Sequence, residues 1–129
     1  MKIRTAKASD YETVCNLCKE LDDYHAQIFP ERVKGYDCAS RSTEMYRSYI
    51  EGDDRDLFIA SIDDEPVGFL NLRIEDIPGR VMSAARKFVL VDNIYVSEAY
   101  RSTGLGRLLM EHTLSWSKGR HREDGVAGV

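Results

Sequence analysis

Apolar positions alternate with polar ones in some stretches of this chain and recur every three or four residues in others, and the changes of period predict its elements. Ile3 and Thr5, set against Lys2, Arg4 and Lys7, predict a first strand. Ser9-Asp10-Tyr11-Glu12 reads as a capping box, Ser9 at the cap and Glu12 three residues on. The helix it opens carries Val14, Leu17 and Leu21 on one face, with Tyr24 at the end of that row. Residues 24–38 lose the period and contain Pro30 and Gly35, which predicts an irregular link. Long links in compact domains often serve a site, so Tyr24, His25, Phe29 and Tyr36 are candidates for substrate contact, or else aromatics that pack the link onto the core. A second helix is expected over about 40–50, burying Met45, Tyr46, Tyr49 and Ile50, with Gly52 as its stop. Residues 57–62 and 67–74 read as a hairpin about the turn Asp63-Asp64-Glu65-Pro66. Residues 75–85, with Pro78-Gly79, read as a loop. Residues 88–96 form a β-branched and aromatic run too apolar for a solvated strand, so a buried one is predicted. Leu105, Leu108, Leu109, His112 and Trp116 then follow helical spacing. The order β-α-α-β-β-β-α, with no repeat or second domain in residues 1–129, reads as one α+β domain: a mixed, mostly antiparallel sheet flanked by helices.

Between the buried strand and the last helix stands Arg101-Ser102-Thr103-Gly104-Leu105-Gly106. A helix start leaves about four N–H groups without intrahelical partners, and the macrodipole adds roughly half a positive charge there. Two glycines let backbone pass close to a ligand, so those N–H groups can converge on phosphate oxygens. Arg101 would add a charge-assisted contact. Taken alone, the same glycines also serve a plain turn. A Walker A loop needs Lys-Ser or Lys-Thr after its last glycine, where this chain has Arg107-Leu108. A dinucleotide fingerprint needs a third glycine where Leu109 stands.

A strand ending in hydrophobic-x-Val (Ile94-Tyr95-Val96), followed by R-x-x-G-x-G opening a long helix, resembles the hallmark of the GNAT N-acetyltransferase superfamily. The Ala8-Ser9-Asp10-Tyr11 opening and the strand, acidic turn, Val67-Gly68-Phe69 hairpin are similar to it as well. The resemblance spans about residues 1–118, its specific part 92–110. It implies a GNAT acyl-CoA N-acyltransferase-like fold, acetyl-CoA as co-substrate, and direct attack of an amine on the thioester. It also implies that Arg101, Ser102, Thr103, Gly104, Leu105 and Gly106 hold the pyrophosphate. The strand backbone at Ile94, Tyr95 and Val96 would bond the pantetheine arm. Asp92 matches the position of the family's general base; without the family it is equally a carboxylate that pairs across the strand. Tyr95 either orients substrate or is a strand aromatic. Glu75 and Asp76 are weaker acidic candidates, Tyr100 and His112 read as structural, and Cys38 as an acyl-carrying nucleophile has little in its favour.

The family pattern continues with a fifth strand that splays from the fourth, a helix carrying a tyrosine general acid, and two more strands. Residues 119–129, rich in charge and glycine, form an atypical tail too poor in apolar residues for a core strand. The expectation is a C-terminally shortened form, truncated or frame-shifted, that leaves one edge of strand 88–96 exposed. That edge is open to association with a second copy as a homodimer.

Composition narrows the partners. At 129 residues the chain can bury about two thirds of its unfolded surface. A net charge of −4 offers no general basic surface for nucleic acid. No run approaches the ~20 apolar residues of a membrane span, and the N-terminus lacks a signal peptide's apolar core, so a cytoplasmic protein is expected. Cys15 and Cys18 stand as C-x-x-C inside a predicted helix with no second pair, which favours a structural role over a metal or redox one. Small amines, polyamines, aminoglycosides and peptide amino groups all remain open as acceptors. The competing readings are a non-catalytic acyl-CoA-binding module, an inactive truncated enzyme, and an unrelated nucleotide binder.

Overall fold

The hairpin predicted from the acidic turn is the centre of the sheet. Strands β2 (Arg55–Ile62) and β3 (Glu65–Ile77) pair antiparallel, and Asp63 and Asp64 between them both take positive φ, 51° and 64°. That two-residue turn has the twist of the strands it joins, and aspartate tolerates its left-handed backbone. A computed structural model describes residues 1–28, 43–77, 86–120 and 126–127. The expectations for Phe29, Tyr36 and Cys38 lie outside the described residues.

Strand β1 (Lys2–Thr5) pairs β2, and β4 (Arg86–Val96) pairs β3, all antiparallel. β3 is longer than its alternation predicts: Glu75, Asp76 and Ile77 sit opposite Phe88, Lys87 and Arg86 instead of entering a loop. Ladder hydrogen bonds come from backbone, so a polar pair at the end of two long strands still forms them. A short strand, β5 (Val126–Ala127), runs parallel to β4 beside Val89 and Leu90. No core strand is expected there from sequence, yet two residues of backbone are enough to cover part of an edge. The edge expected to be bare is therefore paired at its start. Beyond Leu90 it has no strand partner among the described residues.

Helices cover both faces. α1 (Tyr11–Ile28) and α2 (Thr43–Glu51) lie on one, where Ala6, Val14, Leu17, Cys18, Leu21, Leu57, Ile59, Phe69 and Tyr95 form a core flanked by Tyr46, Tyr49 and Ile50. Met45 departs from expectation: it is 55% exposed, at the margin of the face on which Tyr46, Tyr49 and Ile50 turn inward. The cap of α1 is also not the expected one. A 3-10 turn, Ala8–Asp10, precedes the helix, and Asp10 Oδ2 accepts the Lys7 N–H at 2.7 Å. Arg4 also donates to both Asp10 oxygens at 2.7 and 2.9 Å, and this bond is the main cause that holds the carboxyl down at about 2. α3 (Leu105–Arg120) covers the other face, with Leu105, Leu109 and Trp116 against Phe58, Leu70, Leu72, Val89 and Val91. His112 packs edge-on to Phe58, ring centroids 4.4 Å apart, in the structural place its spacing predicts.

One irregularity decides which residues of β4 face which helix. Asn71 pairs Asn93 but Leu72 pairs Val91, so Asp92 is an extra residue, a β-bulge. Before it, Val89 and Val91 face α3; after it, Ile94 and Val96 do, and Tyr95 turns toward α1. Because side chains alternate with period two, a single inserted residue exchanges the faces.

Candidate active site

The bulge opens onto a cavity of about 400 Å³ between α1, α2 and the sheet. Its walls are Tyr11, Tyr46, Tyr49 and Phe69 with Val14, Leu57, Met45 and the thiols of Cys15 and Cys18, and its polar groups are Asn71, Asp92 and Asn93. Asp92 is fixed from two sides: Tyr49 donates its hydroxyl to Oδ2 at 2.6 Å, and Arg73 donates Nε to Oδ1 at 3.1 Å. Each oxygen keeps capacity for another donor. Burial, then the bond to Asp92, pushes the Tyr49 hydroxyl up to about 12, so at neutral pH it stays a donor. Asn71 is 8% exposed, and its Oδ1 is buried without a hydrogen-bond partner among the described residues. Burying such an acceptor unsatisfied is unfavourable by about 1–3 kcal/mol.

The glycine turn follows the C-terminal end of β4, past Val96. A 3-10 turn, Glu98–Thr103, leads to Gly104 at φ 86°, the left-handed region that favours glycine. Leu108 N–H is bonded to Gly104 O at 3.1 Å, so the N–H groups of Leu105, Gly106 and Arg107 precede the first intrahelical bond of α3. A Cβ placed on Gly104 or Gly106 meets nothing within 4 Å, so the backbone there is open to close approach. Leu105 is fully buried with Leu109, which leaves only its backbone for a ligand. Ser102 and Thr103 are exposed, and Thr103 Oγ1 donates to Tyr100 O at 2.5 Å.

The sequence-predicted residues fall into two groups. Asp92 lines the cavity; Tyr95 does not. Tyr95 is buried under α1, donates to Glu20 Oε1 at 3.2 Å, and has its hydroxyl raised by burial first and Glu20 second. Ser97 Oγ donates to the same Glu20 oxygen at 2.8 Å. Arg101 folds toward β4: Nε donates to Val96 O at 3.0 Å, and the guanidinium lies 4.6 Å from the Tyr24 ring and 5.6 Å from that of Tyr95. Ile94 and Val96 pack their side chains against the α3 core. Tyr24 and His25 belong to the last turns of α1 and not to an irregular link. Glu75 pairs with Arg73 at 3.4 Å and is outside the cavity lining. Asn71, Tyr49 and Arg73 were not singled out as site residues from sequence. The available signal was Asn71 itself, a lone amide inside the apolar run Val67-Gly68-Phe69-Leu70-Asn71-Leu72.

Among the described residues no group of three His, Cys, Asp or Glu is placed to hold a metal ion, and no helix is long and apolar enough to cross a membrane. The fold is shared with solved proteins. A mutant form of a Bacillus halodurans protein superposes with TM-score 0.89 at 21% identity, over 100% of this chain and 82% of that one. An acetyltransferase from Vibrio fischeri gives 0.75 at 21%, over 99% and 96%. A predicted acetyltransferase from Clostridium acetobutylicum, solved with acetyl-CoA, gives 0.74 at 14%, over 99% and 79%. The model of the acetyltransferase (GNAT) family matches residues 16–126, and this chain belongs to that family.

Proposed function

We propose that the chain transfers an acetyl group from acetyl-CoA to a primary amine. The observation that carries this reading is the turn at Gly104 and Gly106, where a left-handed glycine and three unbonded helix-start N–H groups present an uncrowded backbone cradle. A pyrophosphate suits such a cradle by charge and by shape. The N–H groups of Leu105 and Gly106 and the hydroxyls of Ser102 and Thr103 would hold it, joined by Arg101 once its guanidinium turns from Val96 O and the Tyr24 ring. The open edge of β4 at Ile94, Tyr95 and Val96 offers main-chain groups to the amides of the pantetheine arm. Tyr95, anchored on Glu20, keeps that segment in place. The neighbour from Clostridium acetobutylicum, solved with acetyl-CoA, supports the choice of donor.

Acetyl-CoA supplies an activated thioester: the amine nitrogen bonds to the carbonyl carbon as the carbon–sulfur bond breaks, and the sulfur leaves with the electron pair to be protonated as free thiol. On the protein side, Asp92 holds the incoming ammonium and takes its proton, directly or through water. Tyr49 and Arg73 fix the carboxylate so that it does not turn away. The apolar walls exclude water from the amine.

Calorimetric titration with acetyl-CoA, run beside Gly106→Val, tests the cradle. Gly106 lies inside α3 with open space around it, so valine blocks approach without straining the fold. Saturable binding that falls more than tenfold in a Gly106→Val chain of unchanged helicity is expected, together with thiol release on adding an amine. A folded wild-type chain that binds no acetyl-CoA would sink the reading. Binding without thiol release for any amine would leave the acyl-CoA-binding module in its place.

A further inference from the structure

We infer that the cavity beside the bulge selects a small monoamine with an apolar or aromatic body, and that Asn71 is a specificity-determining contact for its ammonium. The inference rests on the acetyl-transfer reading and adds to it the class of acceptor.

Three observations converge on this. First, among the described residues the lining contains a single carboxylate, Asp92, with nine aromatic, aliphatic or thiol side chains and two asparagines. Asp92 is ion-paired with Arg73, and Arg73 also pairs with Glu75, so the group of three keeps one net negative charge, the counter-charge for one ammonium. A second or third ammonium on the same molecule would be desolvated against Tyr11, Val14, Leu57 or Phe69, with no further carboxylate in the lining among the described residues to pair it. Polyamines and aminoglycosides are disfavoured on that ground. Second, about 400 Å³ is toward the lower end of the roughly 300–1,000 Å³ common for small-molecule sites, which suits a compact body.

Third, Asn71 Oδ1 is an acceptor without a partner among the described residues, 8% exposed at the residue level, in the wall of the same cavity. Its strand position opposes Asn93, the residue immediately after the bulged Asp92. Asp92 Oδ1 and Oδ2 are each already engaged by one protein donor. An ammonium has three N–H groups to place. The remaining capacity of the carboxylate and the vacant Asn71 Oδ1 together offer acceptors for them, while the carbon body lies against Tyr11, Tyr46, Val14 and Leu57. A site with a buried acceptor rejects analogues that lack the matching donor far more strongly than an apolar pocket rejects a change of size.

The test separates binding from turnover. The full chain is titrated by calorimetry with 2-phenylethylamine, its neutral counterpart 2-phenylethanol, spermidine, kanamycin and a short lysine-containing peptide, each with and without acetyl-CoA. The monoamine should bind at a single site at least tenfold more tightly than any of the other four. Asn71→Leu should weaken the monoamine about tenfold and leave 2-phenylethanol and acetyl-CoA unchanged. Asn71→Asp, which keeps an acceptor oxygen at the same place, should bind the monoamine at least as well as wild type. Tighter binding of spermidine, kanamycin or the peptide, no binding of the monoamine, or an Asn71→Leu chain with unchanged monoamine affinity would each overturn the inference. Monoamine binding of the expected pattern with no thiol release supports the pocket and removes acetyl transfer, so the two claims fail separately.

Discussion

On the face covered by α3, Phe58, Leu70, Leu72, Val89 and Val91 interlock with Leu105 and Leu109, all essentially inaccessible to water. A fully buried hydroxyl there, Thr113, is satisfied within its own helix by Leu109 O at 3.0 Å. On the face covered by α1 and α2, Leu57, Ile59 and Phe69 share space with a 400 Å³ cavity, an unsatisfied amide oxygen and a carboxylate clamped by Tyr49 and Arg73. One sheet thus supports a closed core on one side and an incompletely filled, polar-accented one on the other. Close packing leaves no space for a ligand on the first face, whereas the second keeps room for one.

Truncating a side chain on the closed face should produce the largest effect. Leu109→Ala is expected to lower unfolding stability by about 2–5 kcal/mol, since the interdigitated neighbours cannot collapse into the hole. Met45→Ala, on the open face and 55% exposed, should change it by less than about 0.5 kcal/mol. Denaturant melts of the two variants would break the comparison if their losses were similar.

The open face is fastened at its edge by Arg4 and Asp10. Asp10 is lowered from its ordinary 3.8 to about 2, chiefly by the Arg4 hydrogen bond. A depressed carboxyl stabilises the fold above the unfolded value, and that stabilisation is lost as pH falls from about 4 through about 2. The contribution expected is about 1–2 kcal/mol, reduced by the partial exposure of Arg4. Asp10→Asn should flatten the acid limb of a stability-against-pH curve over that interval. An unaltered limb would detach the edge from the pair.

Asn71→Leu sharpens the contrast by its sign. Removing an unsatisfied buried acceptor, with a cavity alongside to receive the extra carbon, should raise stability by about 1 kcal/mol. A melting temperature that falls would mean the amide already has a structural partner.

The closed face was largely legible in the sequence and the open one was not. The apolar run at 57–62, the acidic turn (expected over 63–66 and formed by Asp63 and Asp64, with Glu65 and Pro66 already in β3) and the three- and four-residue spacing of Leu105, Leu109 and Trp116 are local signals, and each matches an element. The turn at Gly104 was legible for the same reason: the residues that form it are consecutive, 101–106. The bulge at Asp92 leaves no trace in Val91-Asp92-Asn93, because a bulge is a property of the pairing with Asn71 and Leu72. The partners of Asp92 lie 19 and 43 residues away, at Arg73 and Tyr49, and only the docking of α2 and β3 assembles them. Capping misled for a similar reason. Ser9 and Glu12 have the right spacing, but Arg4 across the strand end favours Asp10 for the part.

The smallest effect expected is spectroscopic, and it asks whether the clamp on Asp92 exists in solution. Seven tyrosines contribute to the alkaline absorbance change. Tyr49 faces Asp92 and also Arg55 and Arg73, and burial outweighs the two cations, so its ionisation is delayed to about 12. Tyr46 is delayed to about 12 as well, by burial first and Asp10 second. A tyrosine that ionises late in the fold and near 10 when unfolded stabilises the protein fully below about pH 10. That contribution is lost as pH rises toward about 12. Tyr49→Phe should therefore remove about one seventh of the tyrosinate signal, and remove it from the late phase alone. Loss from the early phase, near pH 10, would place the Tyr49 hydroxyl in water and free Asp92 on the side where the acceptor is proposed to sit.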